Sequence, residues 1–327
     1  MKIAIYQPIN KTWKEQIAAL EKEFPEATFV AGLPEAEEHL GDAEVVVSAT
    51  PTEDVVDRAR EVKLIIVPIT GVDHLPLEKI GERGIRLANA HGNARYVAER
   101  SVALILAYFG RIVEFHNDLA EREKWHGFWV RQGIGDSWST IHGKTVSIIG
   151  AGEIGRHAAR YLKVFDTTVV GFRRTRSAEV PEQYDEMVYD LDEAIAKGDI
   201  ILIALPSTPE TVGLFGPERL RRMGGKVLVN VGRGDIVDEG ALYEGLQSGA
   251  PAGAAIDTWW NYPSGGETTG GPSRFPIHRL PNVVASPHLA GFVDRAVTES
   301  VYQACENIRR FLSGRELLTE VDPKRGY

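Results

Sequence analysis

Residues 145–162 read TVSIIGAGEIGRHAARYL, and this stretch decides the fold. A short β-branched run, Thr145–Ile149, passes directly into an Ala-rich amphipathic segment. Between them Gly150, Gly152 and Gly155 stand in G-x-G-x-x-G spacing. A strand entering a helix through three such glycines is the context that binding of a dinucleotide requires. Gly150 permits the tight turn, Gly152 removes the side chain where a pyrophosphate approaches the backbone, and Gly155 lets helix and strand pack closely. The free N–H groups and partial positive charge of the helix N-terminus then face the phosphates. Without a ligand the same glycines would be no more than a tight turn.

The next strand, Thr168–Phe172, chooses between cofactors. A free ribose 2′-hydroxyl calls for Asp or Glu at its end, about 20 residues past the fingerprint. The chain instead has Arg173, Arg174, Thr175, Arg176 and Ser177. Guanidinium groups suit a 2′-phosphate in charge and in geometry. The expectation is NADP(H) as preferred cofactor with NAD(H) possible; the plainer alternative is a solvated basic turn.

Further out the alternation continues. Strands are expected at Ile200–Leu205, Val227–Val231, Gly253–Asp257 and Val283–Ala285, which makes six with helices between them. Upstream, Met1–Tyr6, Glu44–Ala49 and Lys63–Pro68 read as strands, and 13–24 and 53–61 as helices. Residues 96–116 read as one long helix, apolar on nearly all sides. Residues 125–138 read as an aromatic, glycine-punctuated loop, 295–312 as a helix, and 264–272 as a Gly/Thr-rich insertion. At about 150 residues per domain, 327 residues suggest roughly two domains.

Composition narrows the class. Apolar residues make up 43% and charged residues 25%, a globular balance. The net charge of −9, with no Lys/Arg run, disfavours nucleic acid or an anionic membrane as partner. Cys305 is the only cysteine, which excludes an intramolecular disulfide and leaves no Cys-based zinc site. The opening MKIAIYQPIN reads as a strand rather than a secretory leader, and no apolar run approaches 18 residues. A cytoplasmic protein without a metal is the expectation.

Three more segments sit at or just after expected strand ends: NVGRGDIVDEGAL with Arg233, GAAIDTWWNYP with Asp257, and NVVASPHLAG with His288. Open α/β sheets place ligands at such carboxyl ends. Together with the glycine fingerprint, with PITGVDHLPLEKIGERGIRLANAHGNARYVAE and with LPSTPETVGLF, they resemble the D-isomer-specific 2-hydroxyacid dehydrogenases over nearly the whole chain. That resemblance implies two Rossmann-like, doubly wound α/β domains. The substrate-binding, flavodoxin-like domain would be discontinuous, 1–97 with 291–327, and 98–290 would bind the dinucleotide. It implies hydride transfer between NADP(H) and a small 2-oxo or 2-hydroxy acid such as glyoxylate or hydroxypyruvate, in a homodimer. Formate-dehydrogenase-like oxidation and a nucleotide-sensing interaction protein, as the C-terminal binding protein corepressors are, remain the alternatives.

Carried over residue by residue, the resemblance implies that Arg233 binds the substrate carboxylate and polarises the keto oxygen. His288 exchanges a proton with that oxygen, the task an imidazole suits near neutrality. Asp257 would orient the nicotinamide carboxamide, its plainer role being a loop cap. Gly150, Gly152, Glu153, Ile154, Gly155, Arg173, Arg174, Thr175, Leu205, Pro206, Thr211, Val231, Gly232 and Gly291 would complete the cofactor site. Thr70, Gly71, Val72 and Asn93 would hold the substrate carboxylate. One position departs from the family pattern D-V-F-x-x-E-P. Asp257-Thr258-Trp259-Trp260-Asn261-Tyr262-Pro263 places Tyr262 where the family has the Glu that pairs with the catalytic His. A phenol, with a pKa of about 10, is neutral at pH 7. Tyr262 is thus the third candidate catalytic residue, able to hydrogen-bond the imidazole without a charge. Trp259 and Trp260 either wall the site or serve packing.

Overall fold

The computed structural model describes residues 1–176 and 179–327, so Ser177 of the basic turn lies outside the described residues. The chain divides into two units, Met1–Asn93 with Phe292–Tyr327, and Ala94–Gly291. The first crossing falls after Asn93 rather than after residue 97, because Ala94 already opens a helix.

In the first unit five strands are parallel: Lys2–Ile5 (β1), Thr28–Ala31 (β2), Val45–Val47 (β3), Leu64–Ile66 (β4) and Arg86–Ala88 (β5). Their order is β5-β4-β3-β1-β2, and Glu320–Val321 adds an antiparallel strand beside β5. The central strands VVV and LII are buried throughout, the mark of a sheet covered on both faces. Helix Lys11–Glu23 begins where the Asn10 side chain accepts the Trp13 N–H at 3.0 Å. It buries Trp13, Ile17 and Leu20 against Val301, Ala304, Cys305 and Ile308 of helix Asp294–Leu312. Strands β2 and β5 were not expected from the sequence.

The second unit carries seven parallel strands: Thr145–Ile149 (β6), Thr168–Phe172 (β7), Glu186–Val188 (β8), Ile200–Ile203 (β9), Val227–Asn230 (β10), Gly253–Ile256 (β11) and Val283–Ala285 (β12). Their order is β8-β7-β6-β9-β10-β11-β12. The order reverses between β6 and β9, which puts the glycine fingerprint at the switch point of a doubly wound sheet. Among the described residues seven strands rather than six are present, because the three-residue β8 extends the sheet beyond β7. Helices Ala94–Phe109 and Glu153–Lys163 cover one face, and Leu191–Lys197, Pro217–Arg221 and Glu239–Ser248 the other.

The single helix expected over 96–116 is two. Ala94–Phe109 ends before Gly110, and Arg111 takes φ 48° before Ile112–Arg122 begins in a new direction. Within the expected span, Ile112 and Val113 face solvent. The loop 125–138 contains two short 3₁₀ turns, Phe128–Val130 and Ile134–Asp136. Among the described residues no helix is long and apolar enough to cross a membrane, and no group of three or more His, Cys, Asp or Glu side chains is arranged to hold a metal ion.

Candidate active site at the sheet edge

All neighbours from β12 to β7 are parallel, so their carboxyl ends share one edge. The register levels them. Ala285 stands opposite Ile256, Ile256 opposite Asn230, Asn230 opposite Ile203, Ile203 opposite Ile149, and Ile149 opposite Phe172. Reading outward, this row launches the loops of His288, Asp257, Arg233, Leu205, Gly150 and Arg173. With strands about 4.8 Å apart, the ends of β12 and β10 stand about 10 Å from each other.

His288 occupies an exposed loop after β12 and takes the left-handed conformation, φ 54°. Asp257, fully buried at the end of β11, holds that loop. Its Oδ1 accepts the Ser286 hydroxyl at 2.5 Å and the Leu289 N–H at 3.2 Å, and its Oδ2 accepts the Ala290 N–H at 3.0 Å. Arg100 donates to the Ser286 hydroxyl oxygen at 3.1 Å, and the Trp259 indole N–H to the Ser286 carbonyl at 2.8 Å. The Asp257 carboxylate is therefore engaged in shaping the His288 loop, the plainer of its two expected roles. The Trp pair serves packing and framing: Trp259 is buried, and the half-buried Trp260 donates its indole N–H to Val237 O at 2.9 Å. Tyr262 lies beside His288, ring centroids 5.3 Å apart and planes inclined by 47°. Its hydroxyl oxygen accepts the backbone N–H of Trp259 at 2.9 Å.

Arg233 follows β10 in a loop that the buried Asn230 side chain staples. Asn230 accepts the Gly232 N–H at 3.0 Å and donates to Arg233 O at 2.8 Å. The glycines flanking Arg233 are required by close approach. A Cβ at Gly232 would lie 2.6 Å from Leu205 O, and one at Gly234 2.3 Å from Trp259 O. Any larger residue would push the Arg233 loop off both neighbours. Val231 turns its side chain into the core.

At the fingerprint, helix Glu153–Lys163 starts at Gly152, and Glu153 and Ile154 form its first turn. A Cβ at Gly155 would meet Gly150 O at 2.3 Å, whereas nothing lies within 4 Å of one at the exposed Gly152. The space beside Gly152 suits a pyrophosphate on the helix N-terminus. Past β7, Arg174 and Thr175 are exposed, and Arg173 Nε is buried with no hydrogen-bond partner among the described residues. Such an orphaned donor at the ribose end fits an anionic ligand. Leu205 is half-buried and Pro206 is exposed. The buried Thr211 donates its hydroxyl to Pro206 O at 2.7 Å and accepts the Thr208 N–H at 2.8 Å, so it organises this loop from within. The Thr208 hydroxyl donates to Glu210 at 2.8 Å and holds that carboxyl below its ordinary range, helped by the charge of Arg174.

In the first unit the structure brings Thr70 and Asn93 together: the Thr70 hydroxyl is 2.5 Å from Asn93 Oδ1 and 3.0 Å from Ala90 O. Asn89 donates to Thr70 O at 2.7 Å. Gly71 is half-buried, and Val72 packs in the core. Gly291 closes the second unit. Sequence reasoning missed Asn230, Ser286 and Arg100. An amide at a strand end directly before G-R-G was a legible turn signal; Ser286 and Arg100 meet across 186 residues and had none.

Residues 102–290 match the family model for the D-isomer specific 2-hydroxyacid dehydrogenase NAD binding domain. D-3-phosphoglycerate dehydrogenase of Archaeoglobus fulgidus is 32% identical over 300 residues, covering 89% of this chain and 53% of that protein. The chain spans about half the length of such relatives. Glyoxylate reductase of Thermofilum pendens is 33% identical over 264 residues, 80% of this chain and 75% of that one. The solved structure of the PH0520 protein from Pyrococcus horikoshii aligns with a TM-score of 0.80 at 26% identity, covering 99% of this chain and 95% of that one. With a matched domain of this extent and relatives of this similarity, the chain belongs to the D-isomer-specific 2-hydroxyacid dehydrogenase family.

Proposed function

We propose that this chain is an NADPH-dependent reductase of a small 2-oxo acid, forming the D-2-hydroxy acid reversibly. The observation that carries the reading is the levelled row of strand ends. It sets Arg233 and the Asp257-clamped His288 loop two strands apart, on the same edge as an open glycine turn and a basic β7 terminus. Relatives named glyoxylate reductase and D-3-phosphoglycerate dehydrogenase support the substrate class.

The unit Ala94–Gly291 is assigned to the cofactor. Gly150–Gly155 would receive the pyrophosphate, and Arg173, Arg174 and Thr175 a ribose 2′-phosphate. When bound, the reduced nicotinamide supplies a hydride. Arg233 pairs with the carboxylate of the acid and polarises its carbonyl, a fork that one guanidinium can make. His288 gives its proton to the carbonyl oxygen as that oxygen gains charge, and takes it back in the oxidative direction. Carbon gains a hydride and oxygen a proton, so the hydroxy acid leaves with its carboxylate unchanged. Thr70, Gly71, Val72 and Asn93 would contribute the carboxylate cradle from the other unit. The exposed aromatic segment 112–138 is assigned to a homodimer contact.

The test is NADPH oxidation by the purified protein with glyoxylate, hydroxypyruvate and pyruvate, with kcat/KM compared between NADPH and NADH. Turnover of at least one acid is expected. One or two charge-assisted hydrogen bonds to the 2′-phosphate give about 10- to 100-fold preference for NADPH. No turnover with any 2-oxo acid refutes the activity; equal use of NADH refutes the assignment of the arginines.

A further inference from the structure

Two polar atoms at the β7 end of the second sheet are buried with no hydrogen-bond partner among the described residues: Arg173 Nε and the Tyr184 hydroxyl. Buried polar groups are costly to leave unpaired, and each one calls for a reason. The two belong to one face of β7. The ladder continues past the strand through the Arg173 N–H to Val188 O, and Gly171 and Arg173, two residues apart, point the same way. The Tyr184 ring fills the place of a side chain at Gly171, where a Cβ would lie 2.7 Å from Tyr184 Cδ1. Its oxygen then reaches the fingerprint helix, where a Cβ at Gly155 would lie 2.9 Å from it. Two glycines, one in the fingerprint and one in β7, thus leave room for a single phenol that is 4% exposed.

Burial pushes the Tyr184 phenol above its ordinary range, with the charges of Arg156 and Arg173 acting against this, so the hydroxyl is neutral at pH 7. A neutral phenol both donates and accepts, whereas an arginine Nε only donates. The two orphans are therefore complementary in one sense, from the Arg173 N–H to the Tyr184 oxygen.

We propose that Tyr184 is a positioning residue for NADPH selectivity: in the cofactor complex its hydroxyl oxygen accepts the Arg173 Nε–H and turns the outer guanidinium N–H groups towards the ribose 2′-phosphate. This deepens the proposed function and rests on Arg173 meeting that phosphate. A guanidinium held from behind loses less side-chain freedom when the anion arrives. Its outer nitrogens stay available for a fork onto two phosphate oxygens. A free ribose 2′-hydroxyl presents no such anion, so the pair adds little for NADH. The other cation acting on the phenol, Arg156, is paired with Glu153 on its own helix.

The experiment measures NADPH and NADH dissociation constants by calorimetry for the full-length protein, Tyr184→Phe, Arg173→Ala and the double variant. Tyr184→Phe should weaken NADPH by about 3- to 10-fold, the net worth of one hydrogen bond, and leave NADH within about twofold. In the Arg173→Ala background the same substitution should change NADPH by less than about twofold, because its partner is gone. Unchanged NADPH affinity in Tyr184→Phe, equal losses for both cofactors, or a full second loss in the double variant each overturns the inference. If Arg173→Ala binds NADPH as the wild type does, the assignment of the arginine fails and the inference falls with it. If Arg173→Ala loses NADPH and Tyr184→Phe does not, the inference falls alone. Calorimetry needs no turnover, so a failure of the proposed reaction shows only in the kinetics. The hydroxyl has no partner in the free protein, so Tyr184→Phe should melt at the wild-type temperature or above. A destabilised or unfolded Phe variant would show the hydroxyl already paired inside the fold and would overturn the inference as well.

Discussion

Asp257 illustrates how one buried group serves the chemistry of another. Its two oxygens receive a hydroxyl and two backbone N–H groups, all from the segment Ser286–Ala290 that bends around His288. His288 is held at φ 54°, a backbone region that non-glycine residues rarely occupy. Such a conformation persists only where its surroundings impose it. The carboxylate is that imposition, and the bonds that shape the loops of His288 and Arg233 run through the Asp257 and Asn230 side chains. Arg233→Ala and His288→Ala should therefore leave stability near wild type. Loss of general acid help alone should lower turnover by about 10²–10⁴-fold at His288. Asp257→Ala should cost both, because three donors lose their acceptor inside the fold. Unfolding stability should drop by about 2–4 kcal/mol and turnover should fall with it. Urea unfolding and steady-state kinetics on the three variants separate the roles. A stable Asp257→Ala protein with lost cofactor affinity would instead place Asp257 at the nicotinamide.

Among the elements, the segment from helix Ile112–Arg122 to the turn Ile134–Asp136 is held by one imidazole. His126 is bracketed by two carboxylates, Nε2 to Asp118 at 2.8 Å and Nδ1 to Asp136 at 3.0 Å. Both ring nitrogens then act as donors, which only the imidazolium can do. Its hydrogen bonds to Asp136 and Asp118 raise the His126 pKa above its ordinary value against the nearby charge of Lys124. Lys124 and His126 hold Asp118 down at about 2, and Arg122 adds to this. Asp136 is lowered by the Gly127 N–H, by His126 and by Arg111. Phe115 lies against the imidazole, centroids 4.5 Å apart and planes inclined by 33°, and the Arg111 guanidinium sits 4.5 Å from the centre of the Phe115 ring. The sign follows from the direction of each shift. A raised His126 contributes fully below its unfolded pKa of about 6.5 and loses that contribution as pH rises through its folded value. The lowered Asp118 contributes above about pH 4 and fails as pH falls towards 2. The segment should be best ordered between about pH 4 and 6.5 and loosen on the alkaline side. Trp125 and Trp129 lie within it, Trp138 just beyond it, and they make fluorescence and protease susceptibility between pH 6 and 9 the measurements. His126→Gln should remove the pH dependence; a profile unchanged by that substitution would refute the clamp. Legibility in the sequence follows the same scale. Long apolar strands beside strong turn signals, such as β6 with its glycines, were plain. Strands β5 and β8 were not, since RLA and EMV mix a charged residue with two apolar ones, unlike the equally short but wholly apolar VVV and LII. The break at Arg111 was hidden by continuous helix-forming residues on both sides. Arg233, Asp257 and His288 stood out as candidates because each falls within three residues of a strand end. The Tyr262 ring contact was not, since sequence gives the residue and not the direction of its hydroxyl.

For the molecule as a whole, charge and apolar surface oppose each other. A net charge of −9 makes two copies repel at long range, but screening confines this to about 8 Å at physiological salt. Against it stands an aromatic surface that a lone chain leaves in water: Ile134 is 92% exposed, Trp129 77% and Phe128 74%. Trp125, Phe128, Ile134 and Trp138 line one groove of about 560 Å³. Contiguous apolar patches of this kind on a soluble chain mark contact sites, and burial at about 25 cal/mol per Å² is not directional in charge. A second copy of the chain, brought by the twofold symmetry that most homo-oligomers adopt, covers such a patch with itself. The dimer contact proposed here is therefore apolar at its centre, and its salt dependence has a definite sign. Raising NaCl from 0.05 to 0.5 M should leave the dimer intact or tighten it, because repulsion is screened while burial is not. Phe128→Glu with Trp129→Glu should dissociate it, adding two buried charges per copy at the apolar centre of the contact. Removing only exposed apolar side chains, the double variant should keep the melting behaviour of the isolated chain. Sedimentation equilibrium at micromolar concentration reads both effects. A wild-type monomer across that range, or a double variant as dimeric as the wild type, would show that this surface does not join two copies.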